Sequence, residues 1–232
     1  MTYDNIVLGS FIRRRDRFIA FVSINGEETV CHVKNTGRCR ELLVPGARVV
    51  LQYCPSPTRK TQYDLIAVWK GDRLINMDAN APNKVFHEWL QAGGLGYVPD
   101  MIRPEYTHGD SRFDFFFRHG AKDVLAEVKG VTLEEDGVVR FPDAPTLRGV
   151  KHLNGLARAV QEGYEAWAVF IIQMENVSYF APAWDKHKEL GLALRAAQQA
   201  GVNILALDCR VDADSLTANK EIMIDLSLPE DR

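Results

Sequence analysis

Asp114, Glu127 and Lys129 are the residues whose types and spacing could do chemistry. Around Asp114 the chain reads SRFDFFF, and around the other two VLAEVKG. Read as a strand, Phe113, Phe115 and Phe117 alternate with Arg112, Asp114 and Arg118, which turns Asp114 away from the phenylalanines. On the next strand Val124, Ala126 and Val128 share one face. Glu127 and Lys129 share the other, because residues two apart point the same way. A turn at His119-Gly120 would pair these strands and bring Asp114, Glu127 and Lys129 to one end of a small sheet. Carboxylates at close range repel, so such a site favours Mg²⁺ or Mn²⁺, held by Asp114, Glu127 and the Val128 carbonyl. Lys129 could position an attacking water or stabilise charge on a phosphate. This is the chemistry of metal-dependent phosphodiester cleavage. A surface strand with an ordinary Glu–Lys pair has the same local sequence, so these three residues alone leave both readings open.

The elements that must position these residues fall into two parts, 1–80 and 81–232. The first part is rich in strands. Phe18 to Ile24 ends at Asn25-Gly26, a strong hairpin signal, and Glu28 to Val33 returns. Ala47 to Tyr53, Tyr63 to Lys70 and Arg73 to Met77 follow, separated by Pro and Gly turns. Five or so short strands in this length predict a small closed barrel of the OB type, with a β-sandwich as the alternative. The second part opens with a helix over Pro82 to Gln91, with Val85, Phe86, Trp89 and Leu90 on one face. A strand at Pro104 to Thr107 precedes the two strands above, and Glu134 to Gly137 is a further turn. Thr146 is placed to cap a helix to about Glu162, whose spacing puts Leu147, Val150, Leu153, Ala157 and Val160 on its apolar face. Ala166 to Gln173 reads as a central strand. A helix from Lys186 to Ala200 and a final strand from Val202 to Asp208 complete the chain.

The order αβββαβ, with Asp on the second strand and E-x-K on the third, resembles the restriction-endonuclease-like fold. That resemblance adds Glu88 on the leading helix, and Arg148 and Lys151 on the trailing one, as accessory residues of the catalytic site. Longer stretches are more specific. GSFIRRRDRFIAFV, KNTGRCRELLVPGARV, TRKTQYDLIAV, SRFDFFF, EVKGVTL, FPDAPTLRGVKHL and GVNILALDCRV resemble the sugar fermentation stimulation protein A family over nearly the whole chain. The resemblance implies an α/β (α+β) protein, with an N-terminal OB-like barrel that binds DNA followed by a restriction-endonuclease-like αβββαβ domain. It also implies a role in regulating sugar, chiefly maltose, metabolism. Where the family commonly reads Asn-Thr-Gly-Ser-Met, this chain has Asn35-Thr36-Gly37-Arg38-Cys39.

The remaining signals concern the partner. Arg13, Arg14, Arg15 and Arg17 could track phosphates or simply form a solvated basic face. Lys34, Arg38, Arg59 and Lys60 fall in loops between barrel strands, where OB folds bind single strands. Asn35, Thr36 and Gly37 would let the backbone approach a phosphate, although Gly37 would serve equally as a turn residue. Asp143 reads as a turn residue or as a further carboxylate near the metal. The net charge is −3. Residues 1–80 carry 12 basic against 8 acidic side chains, and the rest 16 against 23. A polyanion would therefore meet the first part first. The 232 residues, 46% hydrophobic and 25% charged, have ordinary globular composition. There is no membrane-length apolar run, no secretory signal and no C-x-x-C pair, which together predict a cytoplasmic protein with free thiols and no membrane partner. The sequence leaves two functions open, a metal-dependent nuclease and a non-catalytic DNA-binding regulator on a nuclease scaffold. It leaves strand preference and oligomeric state open as well.

Overall fold

The alternation of apolar and polar residues in the first third of the chain closes into a barrel. In the computed structural model, which describes residues 1–35 and 37–229, the strands are β1 (Ile6–Arg14), β2 (Ile19–Ile24), β3 (Glu27–Val33), β4 (Arg48–Tyr53), β5 (Tyr63–Lys70) and β6 (Arg73–Asn76). Neighbours run in the order β3-β2-β1-β4-β5, and a parallel pairing of β3 with β5 shuts the ring. Ala20, Val22, Cys31, Val33, Val49, Leu51 and Leu65 fill its interior. Asn25 and Gly26 both take positive φ, as a two-residue hairpin with right-handed twist requires. Thr36 lies outside the described residues.

β6 leaves the barrel and leads into α1 (Ala81–Gln91), which has Pro82 in its first turn and stops where Gly93 turns to positive φ. Then come β7 (Met101–His108), β8 (Ser111–His119), β9 (Lys122–Val131), β10 (Leu133–Glu135), β11 (Val138–Phe141) and α2 (Leu147–Gln161). The chain closes with β12 (Glu165–Ile172), β13 (Tyr179–Pro182), α3 (Lys188–Gln199), β14 (Asn203–Asp212), β15 (Ser215–Glu221) and β16 (Met223–Ile224). Six strands form one mixed sheet in the order β15-β14-β12-β9-β8-β7, with β12 parallel to both β9 and β14. α1 packs on one face through Val85, Phe86 and Leu90, and α2 and α3 on the other through Leu153, Leu156, Leu190 and Leu194. β10, β11, β13 and β16 make a second, smaller sheet.

Three expectations need correction. The last strand does not end at Asp208 but runs on to Asp212 and folds back as β15. Phe113 does not share a face with Phe115 and Phe117. It packs with Leu153 and Leu156 of α2, whereas the other two pack under α1. The apolar face of α2 is also shifted: Leu153 is buried and Val150, Ala157 and Val160 pack partly against the core, but Leu147 is 83% exposed, and the fully buried positions are Gly149, His152, Leu153, Gly155, Leu156 and Ala159. Small residues set this shift. A Cβ on Gly149 would stand 2.7 Å from Leu190, and one on Gly155 would stand 3.0 Å from Phe113. The helix therefore lies against its neighbours along its glycines.

The two parts are joined by a network built on the buried Asn76, Asp78 and Gln173. Gln173 donates to Asn76 Oδ1 at 2.9 Å and to the Asp78 carbonyl at 3.0 Å, and its own carbonyl accepts from Asn76 N. Asp78 accepts from Lys34 Nζ at 2.7 Å and from the Tyr3 hydroxyl at 3.3 Å. A second tie runs between Glu134 of β10 and both Lys70 and Arg73 of the barrel, at 2.6 and 2.7 Å. The first residues of the chain are stitched to β15: Tyr3 N donates to Asp214 O, Leu216 N donates to Met1 O, and Thr2 bridges to Ser215. No helix among the described residues is long and apolar enough to cross a membrane.

Candidate metal and nucleic-acid site

The ladder between β8 and β9 pairs Phe115 with Ala126 and ends there. Just past that point Asp114 turns its carboxylate onto β9. Oδ2 accepts from Val128 N at 2.8 Å, and Oδ1 from Asn83 Nδ2 of α1 at 3.0 Å. A side chain thus takes the N–H that a longer ladder would have used. Burial pushes the Asp114 pKa up, Glu127 adds to the rise, and Lys129 opposes it.

Glu127 is 3% exposed in the middle of β9, opposite Ala168 of β12. Its Oε1 accepts from both Lys129 Nζ and His152 Nδ1, while Oε2 has no hydrogen-bond partner and no solvent. Burial raises its pKa, but hydrogen bonds from His152 and Lys129 outweigh this and hold it below the usual range. An ionised carboxylate with one buried, unpartnered oxygen is incomplete. A cation bound between Glu127 and Asp114 would supply the missing partner. Among the described residues no group of three His, Cys, Asp or Glu side chains converges as a ready-made cage. Two carboxylates plus water and substrate oxygens are the usual complement for Mg²⁺, so the donor set fits that ion.

The structure brings Asp114, Glu127, Val128 and Lys129 together and leaves Glu88 and Lys151 elsewhere. Glu88 is exposed and pairs with the N-terminal ammonium of Met1 at 2.6 Å. Lys151 reaches the Asp110 carbonyl at 2.6 Å on the outer side of α2. Two further residues join the site, Asn83 and His152. Asn83 holds Asp114. His152, 5% exposed, holds Glu127, with Arg148 Nε lying 3.5 Å from its far nitrogen. Gly149 and Gly155, each three residues from His152, were the available signal, because a glycine inside a helical pattern often has a packing reason.

The basic residues divide in the same way. Arg13 is bidentate to Glu28 and lies over Phe21, Arg15 pairs with Asp16, Arg59 with Asp64, and Lys34 with Asp78. Arg14 donates to the carbonyls of Asp16, Arg17, Asn35 and Arg38, which pins two loops against each other. Lys60 is exposed on its loop. Asn35 donates to the Met77 carbonyl and accepts from Gly37 N. Arg17 and Arg38 are exposed, and neither side chain is paired with another described residue. Both line a cleft of about 520 Å³ between the barrel and the α/β domain, together with Gly37, Gly130, Arg140 and Phe141. The exposed Asp143 also lines it and is not part of a metal cluster. Phe141 in turn walls the small cavity that holds Glu127, Lys129 and His152, so site and cleft adjoin.

An OB-type barrel docked on a mixed α/β domain, with an Asp/Glu/Lys group beside the joint, defines a two-domain class. Residues 12–77 match the family model described as the SfsA N-terminal OB domain. Residues 80–215 match the one described as the sugar fermentation stimulation protein RE domain. The chain belongs to the sugar fermentation stimulation protein family. It is 55% identical over 228 residues to the sugar fermentation stimulation protein homolog of Desulfitobacterium hafniense strain Y51, covering 97% of this chain and 99% of that one. It is 54% identical over 216 residues to the homolog of Clostridium beijerinckii, covering 93% and 96%. The solved structure of Pyrococcus furiosus SfsA in complex with Ca²⁺ is similar with a TM-score of 0.86 at 26% identity, over 97% of this chain and 98% of that one.

Proposed function

We propose that this protein binds DNA in the cleft between its domains and cleaves phosphodiester bonds there with Mg²⁺ or Mn²⁺. The observation that carries the reading is the unpartnered buried oxygen of Glu127 next to Asp114, with Lys129 on the same carboxylate. Asp114 and Glu127 would hold the ion, which when bound polarises phosphate oxygens and lowers the pKa of a coordinated water. Asn83 and the Val128 N–H orient Asp114, and His152 orients Glu127. Lys129 supplies a positive charge where a phosphate gains negative charge. The Ca²⁺ in the Pyrococcus furiosus relative supports a divalent cation as the ligand. The free Arg17 and Arg38 support a polyanion in the adjoining cleft.

A second reading is that the protein binds DNA without cutting it and acts in sugar-gene regulation. One observation favours it: Lys129 is already paired to Glu127, which is a stable arrangement without metal. The deciding assay uses labelled DNA with Mn²⁺ or with EDTA, and compares the native protein with Lys129→Ala. Cleavage that needs the metal and falls at least about 100-fold in the variant is the expected outcome. Binding with no cleavage in either protein would leave the second reading.

A further inference from the structure

We infer that the strand taken into the cleft is unpaired, so that the substrate class is single-stranded DNA rather than duplex. The inference rests on the nucleic-acid reading above and narrows it.

Size is the first consideration. A cleft of about 520 Å³ is in the range of small-molecule pockets and suits one or two nucleotides. A duplex is far larger, since its major groove alone is about 12 Å wide. The cleft is also bridged. A Cβ built on Gly37 of the barrel would stand 2.6 Å from Asp143 Oδ2 of the other domain, so the two domains touch across it. The floor is backbone at Gly130, where a Cβ would meet Gln173 Oε1 at 2.5 Å and Pro82 at 2.7 Å. A flexible strand could enter between these loops, whereas a rigid duplex would have to part them.

An aromatic ring just outside the lining points the same way. Phe18, next in sequence to Arg17, is 49% exposed, and its ring stacks on His32 with centroids 6.5 Å apart and planes 12° apart. Asp16 fixes the loop by accepting from the backbone N–H of both Phe18 and Ile19. An exposed aromatic ring next to the unpaired Arg17 offers stacking to a base and charge to its phosphate. In a duplex the base faces are already covered by their neighbours, so the ring would have nothing to stack on. Phe141 gives a second ring, inside the cleft and next to Glu127 and Lys129.

The test is fluorescence anisotropy in EDTA, which removes cleavage. It uses a labelled single strand of about 16 nucleotides and its duplex, with the native protein, Phe18→Ala and Arg38→Ala. The single strand should bind at least about tenfold more tightly than the duplex. Phe18→Ala should weaken single-strand binding by about 5- to 100-fold and leave duplex binding unchanged. Arg38→Ala should weaken both. Circular dichroism of each variant separates these losses from unfolding. Duplex binding equal to or tighter than single-strand binding would overturn this inference and leave the nucleic-acid reading standing. Phe18→Ala with undiminished single-strand affinity would remove the stacking platform and overturn the inference as argued. Binding of neither form would overturn both.

Discussion

Glu127 has its geometry set by a histidine that touches nothing outside the protein. His152 and Lys129 share one carboxylate oxygen and so leave the other without a partner. Removing such an outer partner typically costs a metal site about 10- to 100-fold in affinity. His152→Leu should show a loss of this size in Mn²⁺ titration calorimetry, and His152→Gln, which keeps a donor, should lose less. Asp114 gives a second prediction, in stability. Its folded pKa is raised above the ordinary 3.8, so the folded protein holds that proton more tightly than the unfolded chain does. The favourable contribution is complete below pH 3.8 and is lost as pH rises through the folded value. At neutral pH the buried charge therefore costs stability. Asp114→Asn in EDTA should raise Tm at pH 7 by roughly 2–4 °C, and the gain should vanish on acidification. An unchanged Tm would mean that the Val128 and Asn83 hydrogen bonds already offset the burial. Glu127 and Lys129 were legible in the sequence because residues two apart in a strand share a face, whereas the side taken by Asp114 was not, because the alternation breaks between Phe113 and Phe115. Asn83 and His152 were not, because their role depends on how far each helix is rotated about its axis, and packing decides that.

At the scale of elements, β10 is tied to β5 and β6 through one carboxylate. Glu134 accepts from Lys70, Arg73 and the Gly137 N–H, which together outweigh its burial and hold its pKa down to about 2. A depressed carboxylate contributes stability that is present above its unfolded pKa of 4.5 and is lost as pH falls towards 2. Glu134→Gln should lower Tm at pH 7 by roughly 4–8 °C. The gap to the native protein should close as the pH drops from 4.5 towards 2, and a gap that stays constant would show that the charge is not responsible. Most helices and strands were readable because caps and turns announce their ends: Thr146 accepts from Gly149 N as its position predicts. β13 and β16 were not. They are short strands whose partners lie far away in sequence, and no local period marks them. α2 was found, with Val150, Leu153, Ala157 and Val160 turned to the core as expected, but the buried face is centred on His152 and Leu156 and leaves Leu147 outside. Its alanines, glycines and valines give a weak apolar pattern, and Phe113 and Leu190 choose which side is packed.

For the whole molecule, the number of available arginines sets the response to salt. Seven of the basic residues marked in the sequence (Arg13, Arg14, Arg15, Lys34, Arg38, Arg59 and Lys60) would together give a steep dependence. Most of them are engaged within the protein. Two unpaired arginines at the cleft, Arg17 and Arg38, give a slope of log affinity against log salt of about −1.4 for a single strand. Anisotropy between 50 and 200 mM salt measures it, and a slope near −5 would mean that the paired residues are recruited after all. The division at residue 80 was legible as a change from strand to helix pattern, yet the docking of the two parts was not, since no local signal links Asn76 to Gln173. The pairing of residues 1–3 with Asp214, Ser215 and Leu216 carries that point further. During synthesis residues 1–3 must wait for β15 to be made. The barrel can close early, but its leading residues stay unpaired until β15 exists. Cutting the chain at residue 80 would therefore not yield two finished domains, because each half would keep an edge whose complement is in the other.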